Sequence, residues 1–310
     1  MASGNFAFNN PAFQEERPGL TPPSAQQQTG TQTQFATATH QATDAAVNAQ
    51  LEGAFAAPPA DAVNTGRMTV EDTVAKTLGL FAVLLATAVV GWVWTLGGAF
   101  SPAQLTSFDQ VTIMPWIIGM LGGFVLAMVV TFTSRKKIRP ALIFAYAAFE
   151  GLFVGGISAY FEVRWEGIVI QAAIATFAVV GVVLALFASG KVRASKRANK
   201  IFLVAILGYL VFGLVNMVLM WTGVTQGTFG LYSQNISIMG IDIPLGLIIG
   251  VFVVLLASYS LVQDFDLIQR GVRNGAPREF GWLGGFGIMV TVVWLYIEIL
   301  RIIAIVRGSN

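Results

Sequence analysis

The stretch Ile243-Pro-Leu-Gly-Leu-Ile-Ile-Gly-Val-Phe-Val-Val-Leu-Leu-Ala-Ser-Tyr-Ser-Leu-Val-Gln-Asp264 decides the class of this protein. No side chain from Ile243 to Gln263 carries a formal charge, and the run matches the roughly 20 apolar residues that a helix needs to cross a bilayer. Measured by the same ruler, further spans fall at about 74–97, 112–133, 140–161, 167–189, 201–222 and 286–306. An all-α integral membrane bundle of seven transmembrane helices is therefore predicted. Pro115, Pro140 and Pro244 each fall near the start of a run, where the missing N–H is harmless.

Composition agrees. Of 310 residues 55% are hydrophobic and only 11% charged, against about a quarter in soluble domains. Mean hydropathy is +0.70. The net charge of +2 lies in short loops between apolar runs, which points to orientation against a lipid bilayer rather than to nucleic acid. With no cysteine, disulfides, thiol nucleophiles and zinc–thiolate sites are excluded. The single histidine, His40, lies outside every span, so a histidine-dependent triad or histidine-rich metal site in the membrane is excluded as well.

Residues 1–66 are rich in Gln, Thr, Ala and Pro and show no sustained apolar period. Such a stretch buries too little apolar area to offset its ordering entropy, so a disordered cytosolic tail is expected, followed by a transmembrane domain over 67–310. Thr69 is placed to cap the first helix, with Asp72 at the third helical position.

Orientation follows from the basic loops. The 2–3 loop carries Arg135, Lys136, Lys137 and Arg139; the 4–5 loop carries Lys191, Arg193, Lys196, Arg197 and Lys200; the 6–7 loop carries Arg270, Arg273 and Arg278. The opposite loops hold only Arg164. The N-terminus is expected in the cytosol and the C-terminus on the opposite side.

Charged groups inside spans are expensive, by about 2.5–3.5 kcal/mol at a helix centre, and so call for a partner or a role. Three acids qualify: Glu150 in the third span, Asp264 at the cytosolic end of the sixth, and Glu298 in the seventh. Glu298 lies three residues before Arg301, which allows a local ion pair. The other reading pairs Glu298 with Asp264 across helices, where two close carboxylates share a proton and their ionised form can hold a hard cation such as Ca²⁺. A simple hairpin turning near Asn274 leaves these acids fourteen residues out of level, roughly 21 Å. Contact therefore requires a bent start to the last helix, with residues 277–286 lying along the interface. Around Glu150, Ala147, Gly151, Gly155 and Ala159 form a stripe of small residues that lets a second helix approach closely. Tyr146, Tyr209, Asn216 and Tyr296 are the candidate donors to Glu150.

The motifs Tyr146-Ala-Ala-Phe-Glu150-Gly151-Leu-Phe-Val-Gly155-Gly-Ile-Ser158, Leu261-Val-Gln-Asp264-Phe-Asp266-Leu-Ile268 and Leu295-Tyr296-Ile-Glu298-Ile-Leu300-Arg301 stand in order on a seven-span frame. In these, the chain resembles the Bax inhibitor-1/YccA family, also called the transmembrane Bax inhibitor motif family, and its actinobacterial-type branch in particular, over about residues 70–306. The resemblance implies a multi-pass protein of a bacterial plasma membrane. Members of that family described as pH-sensitive calcium leaks close through two aspartates on the sixth and seventh helices, which fall here on Asp264 and Glu298. Glutamate at the second position and a longer connection between the helices depart from that pattern. Arg135 or Arg139 is the candidate for the basic latch partner that some members use.

Two functions follow from the resemblance and the acids. One is a pH-sensitive cation leak, for Ca²⁺, gated by Asp264 and Glu298 with Glu150, Arg301, Arg135 and Arg139 in support. The other is a non-conducting regulator that uses its tail to contact a membrane-bound quality-control protease or a stress-response complex. An intramembrane enzyme is not expected: Ser158 and Ser258 offer hydroxyls, but no histidine and no lysine are expected within a span to activate them. No cofactor is implied.

Overall fold

A computed structural model describes residues 66–105, 107–225, 229–238 and 241–308. The disorder expected for the tail concerns residues outside these, apart from Gly66. Seven helices among the described residues are long and apolar enough to cross a membrane: α1 Val70–Thr95, α2 Met114–Ser134, α3 Pro140–Arg164, α4 Ile168–Ala188, α5 Lys196–Trp221, α6 Leu245–Arg273 and α7 Phe280–Gly308. A two-stranded antiparallel hairpin, β1 Asn235–Ile238 and β2 Ile241–Pro244, precedes α6.

Local chemistry sets the helix starts. Thr69 Oγ1 accepts the Asp72 N–H at 3.2 Å and caps α1, while Ser195 does the same for α5 through Ala198 N–H at 3.2 Å. Pro140 opens α3, and Pro244 stands immediately before α6. At the other end of α6, Gly275 takes a left-handed φ of +62° just past Asn274, and the Ala276 N–H returns to the Gly271 carbonyl at 2.9 Å, which stops the helix sharply.

Two boundaries differ from expectation. Helix α6 runs nine residues beyond Asp264, because Leu267 and Ile268 continue its buried face past the first charge. Asp264 therefore lies inside the bundle, not at a helix end. Helix α7 starts at Phe280 and continues without interruption to Gly308, so no bent interfacial segment precedes it. Its first turns are buried by close packing: Gly281, Gly284 and Gly285 lie against Thr73, Lys76 and Thr77 of α1.

Helix α3 is wedged between α1 and α2 by its small residues. A Cβ at Gly151 would collide with Leu84 and Thr87, one at Gly155 with the Ala88 carbonyl, and one at Gly156 would lie 2.7 Å from the Trp116 nitrogen. From α2, a Cβ at Gly119 would stand 2.7 Å from the Phe149 carbonyl. Such approach lets backbones pack directly where lipid supplies no hydrophobic drive between helices.

The core joins Leu80 and Leu84 of α1 and Ile143 and Tyr146 of α3 to Leu283 and Phe286 of α7. Helix α5 stands apart: only Phe202 and Asn216 of its side chains are buried, and Ile201, Val204 and Met217 face outward. Apolar exposure of this kind suits a hydrocarbon solvent, in which a helix satisfies its own backbone groups.

The start of α1 and the three basic loops share one end of the bundle. The Met68 N–H donates to the Ala276 carbonyl at 2.8 Å, Arg193 Nη1 donates to Gln269 Oε1 at 2.8 Å, and a small hollow is lined by Ser134, Arg139 and Leu283 together.

Candidate functional site

The polar interior of the α6–α7 hairpin has two levels. At the first, Asp264 is fully buried, and Thr291 Oγ1 of α7 donates to Asp264 Oδ2 at 2.6 Å. Ser260, one turn earlier on α6, places its hydroxyl 3.5 Å from that of Thr291. These groups occupy positions that an apolar helix would otherwise fill with hydrocarbon, and each buried hydroxyl finds a polar neighbour, as burial requires.

At the second level Glu298 is 2% exposed. Its Oε1 forms an ion pair with Arg301 Nη2, one turn along α7, and its Oε2 accepts the Tyr209 hydroxyl of α5 at 3.1 Å. Arg301 Nη1 donates back to the Tyr209 oxygen at 3.0 Å, and the guanidinium lies 4.2 Å from the centroid of the Tyr232 ring. An ion pair in a poorly hydrated place needs such extra hydrogen bonds to offset desolvation. The aromatic face adds an attraction of its own.

Thr291 and Glu298 are seven residues apart on one helix, about 10 Å along its axis. Asp264 and Glu298 therefore do not meet, and the α7 side chain that faces Asp264 is Thr291. The local Glu298–Arg301 pair that the spacing allowed is present. Sequence reasoning passed over Thr291 because a lone threonine in an apolar helix carries little signal by itself.

The supporting residues lie elsewhere. Glu150 is partly buried on α3, with the Tyr146 hydroxyl as its hydrogen-bonding neighbour and Oε2 close to Gly123 of α2. Of the other donors considered for it, Tyr209 serves Glu298, Tyr296 meets Ser158 at 2.6 Å, and Asn216 binds the Leu231 N–H at 2.7 Å. Arg135 and Arg139 are exposed on the 2–3 loop, and neither forms an ion pair among the described residues.

One polar cluster corrects the expectation that no lysine lies within a span. Lys76, on the second turn of α1, is 7% exposed. Its Nζ stands 2.5 Å from Asp72 Oδ2 and 2.7 Å from the Arg278 carbonyl, while Arg278 Nη2 reaches Asp72 Oδ1 at 2.8 Å. With the Met68–Ala276 bond and the Arg278 N–H donating to the Gly66 carbonyl at 3.0 Å, this clasp fastens the start of α1 to the α6–α7 turn. The Asp72/Lys76 spacing of four at the start of an apolar run was its sequence signal.

Among the described residues no group of three or more histidine or acidic side chains is arranged to hold a metal ion. Seven spanning helices around buried, partnered carboxylates define a multi-pass membrane protein with an ionisable core. Over residues 10–308 the chain matches the family model described as Bax inhibitor 1 like, and it belongs to that family. The match starts at residue 10, so it takes in most of the tail that the motif resemblance had left outside. No curated protein matches the sequence.

Proposed function

We infer that the protein is a pH-sensitive cation leak of a bacterial plasma membrane, with Ca²⁺ as its cargo and Asp264 and Glu298 as its control points. The observation that carries this reading is the pair of carboxylates at 0% and 2% exposure in one transmembrane hairpin, each held by contacts that a proton can undo. Buried ionisable groups in a span are costly and are retained where ions or protons move. Standing at separate levels of the hairpin, roughly 15 Å apart along it, the two acids do not share one proton or chelate one ion. Ca²⁺ takes six to eight oxygen ligands, so an ion beside one carboxylate and its neighbouring hydroxyls retains water in its shell.

The gate works through contacts between helices. Ionised Glu298 holds Arg301 and, through Tyr209, ties α5 to α7. Protonation removes the negative charge, loosens both contacts and lets α5 part from the hairpin, so flux rises as pH falls. Calcium flux into proteoliposomes at several pH values, wild type against Asp264→Asn, tests the reading. A flux indifferent to pH and to the substitution rejects it.

A further inference from the structure

The end of the bundle that carries the basic loops offers a surface that neither the carboxylate levels nor the membrane core uses. Lys191, Arg193, Lys196, Arg197 and Lys200 fall within ten residues that contain no acid, and none of the five forms an ion pair among the described residues. Arg193 is pinned, by Gln269 and by the Phe187 ring 4.2 Å away; the other four are exposed or at the helix edge. The four cations of the 2–3 loop lie on the same end, beside the start of α7. Of the carboxylates at this end, Asp72 and Asp266 are engaged, by Lys76 with Arg278 and by Arg270, while Glu71 and Glu279 are exposed near the α6–α7 turn, away from the 191–200 run.

The clasp delivers the N-terminal tail to this same face. The Gly66 carbonyl accepts from the Arg278 N–H, so the first described residue is anchored at the α6–α7 turn. Residues 1–65 contain Glu15, Glu16, Asp44, Glu52 and Asp61 against a single Arg17, a net charge of −4, whereas residues 66–310 carry +6. Glu52 is fourteen residues from Gly66, a maximum reach of ~50 Å, enough to cover any point on the end of the bundle. Tethering makes encounter intramolecular, which raises effective concentration far above that of a free peptide of equal charge.

We propose that the acidic tail is the occupant of this face: residues 44–61 dock on the Lys191–Lys200 loop by charge complementarity. The tail thereby screens the basic end from other anions, lipid headgroups included. This inference goes beyond the cation-leak reading and stands whether or not the protein conducts.

The absence of cysteine makes the test direct, because introduced thiols are unique. The full chain carrying Gln50→Cys and Ala194→Cys is spin-labelled in phosphatidylcholine nanodiscs, and the distance distribution is measured at low and high salt. A short-distance population is expected at low salt and lost at high salt. It is also lost with Lys196→Glu/Arg197→Glu and with Asp44→Lys/Glu52→Lys, and it returns when the four substitutions are combined. Recovery in the charge swap excludes misfolding or misinsertion as the cause of loss. A distribution indifferent to charge reversal overturns the proposal. So does a tail that stays distant in phosphatidylcholine while the same cations gather phosphatidylglycerol, which assigns the face to headgroups.

Discussion

Thr291 faces Asp264: the threonine hydroxyl of α7 donates at 2.6 Å to a carboxylate of α6 that has no exposed surface. The position opposite the α6 acid is thus a neutral hydroxyl, and the second acid, Glu298, answers to Arg301 and Tyr209 two turns away. The hairpin carries two separate polar contacts, each with its own consequence when broken.

Removing the threonine hydroxyl takes one hydrogen bond from a buried carboxylate. Thr291→Val should destabilise the protein by about 1.5–3 kcal/mol, the worth of one hydrogen bond to a charged group, while Thr291→Ser should retain most of the stability. Thermal unfolding in detergent compares the two variants; equal midpoints would show that the hydroxyl is not what holds Asp264.

Tyr209 links α5 to the Glu298–Arg301 pair, and α5 has few buried side chains to hold it otherwise. Tyr209→Phe keeps the ring and the ion pair but loses both hydrogen bonds. Amide exchange near the middle of α5 should accelerate, with α3 and α7 unchanged. Uniform exchange across all helices would instead report global loosening.

The clasp at the start of α1 contains a cation and an acid that are both largely buried. Asp72→Ala leaves Lys76 with the Arg278 carbonyl alone and should cost about 1.5–3 kcal/mol, the worth of a hydrogen bond to a charged group, whereas Asp72→Ala with Lys76→Met should recover part of that loss. The comparison by denaturant unfolding separates a coupled pair from two independent side chains.

Much of this architecture could be read from the chain. Seven apolar runs, the cap at Thr69, the prolines at helix starts and the small-residue face of α3 all announce themselves through length, period and local chemistry. The ends of α6 and α7 did not. Counting apolar residues closes a span at its first charge, yet Asp264 lies inside α6 because Leu267 and Ile268 carry the buried face further. The same rule delayed α7, whose glycines lower hydropathy while permitting close packing against α1. The buried acids were visible as charges out of place. Of their partners, Arg301 was legible from its spacing of three and Tyr146 from its place one turn before Glu150, whereas Thr291, Tyr209 and Tyr232 are brought near them by tertiary packing alone.

A bulky side chain on the small face of α3 tests that packing. Gly155→Leu would drive its side chain into the Ala88 carbonyl of α1 and should prevent stable folding, while the same change at Gly181, which has open space around it, should be tolerated. Yield of monodisperse protein after detergent extraction reads the contrast.

The most direct measurement is Ca²⁺ flux in proteoliposomes across a pH series for wild type, Asp264→Asn, Glu298→Gln and the double variant. Two independent stations predict that each single substitution removes part of the pH response, and that the double variant removes it all, with little coupling between them. A double variant that keeps the full wild-type response to pH would contradict the assignment of control to these two carboxylates.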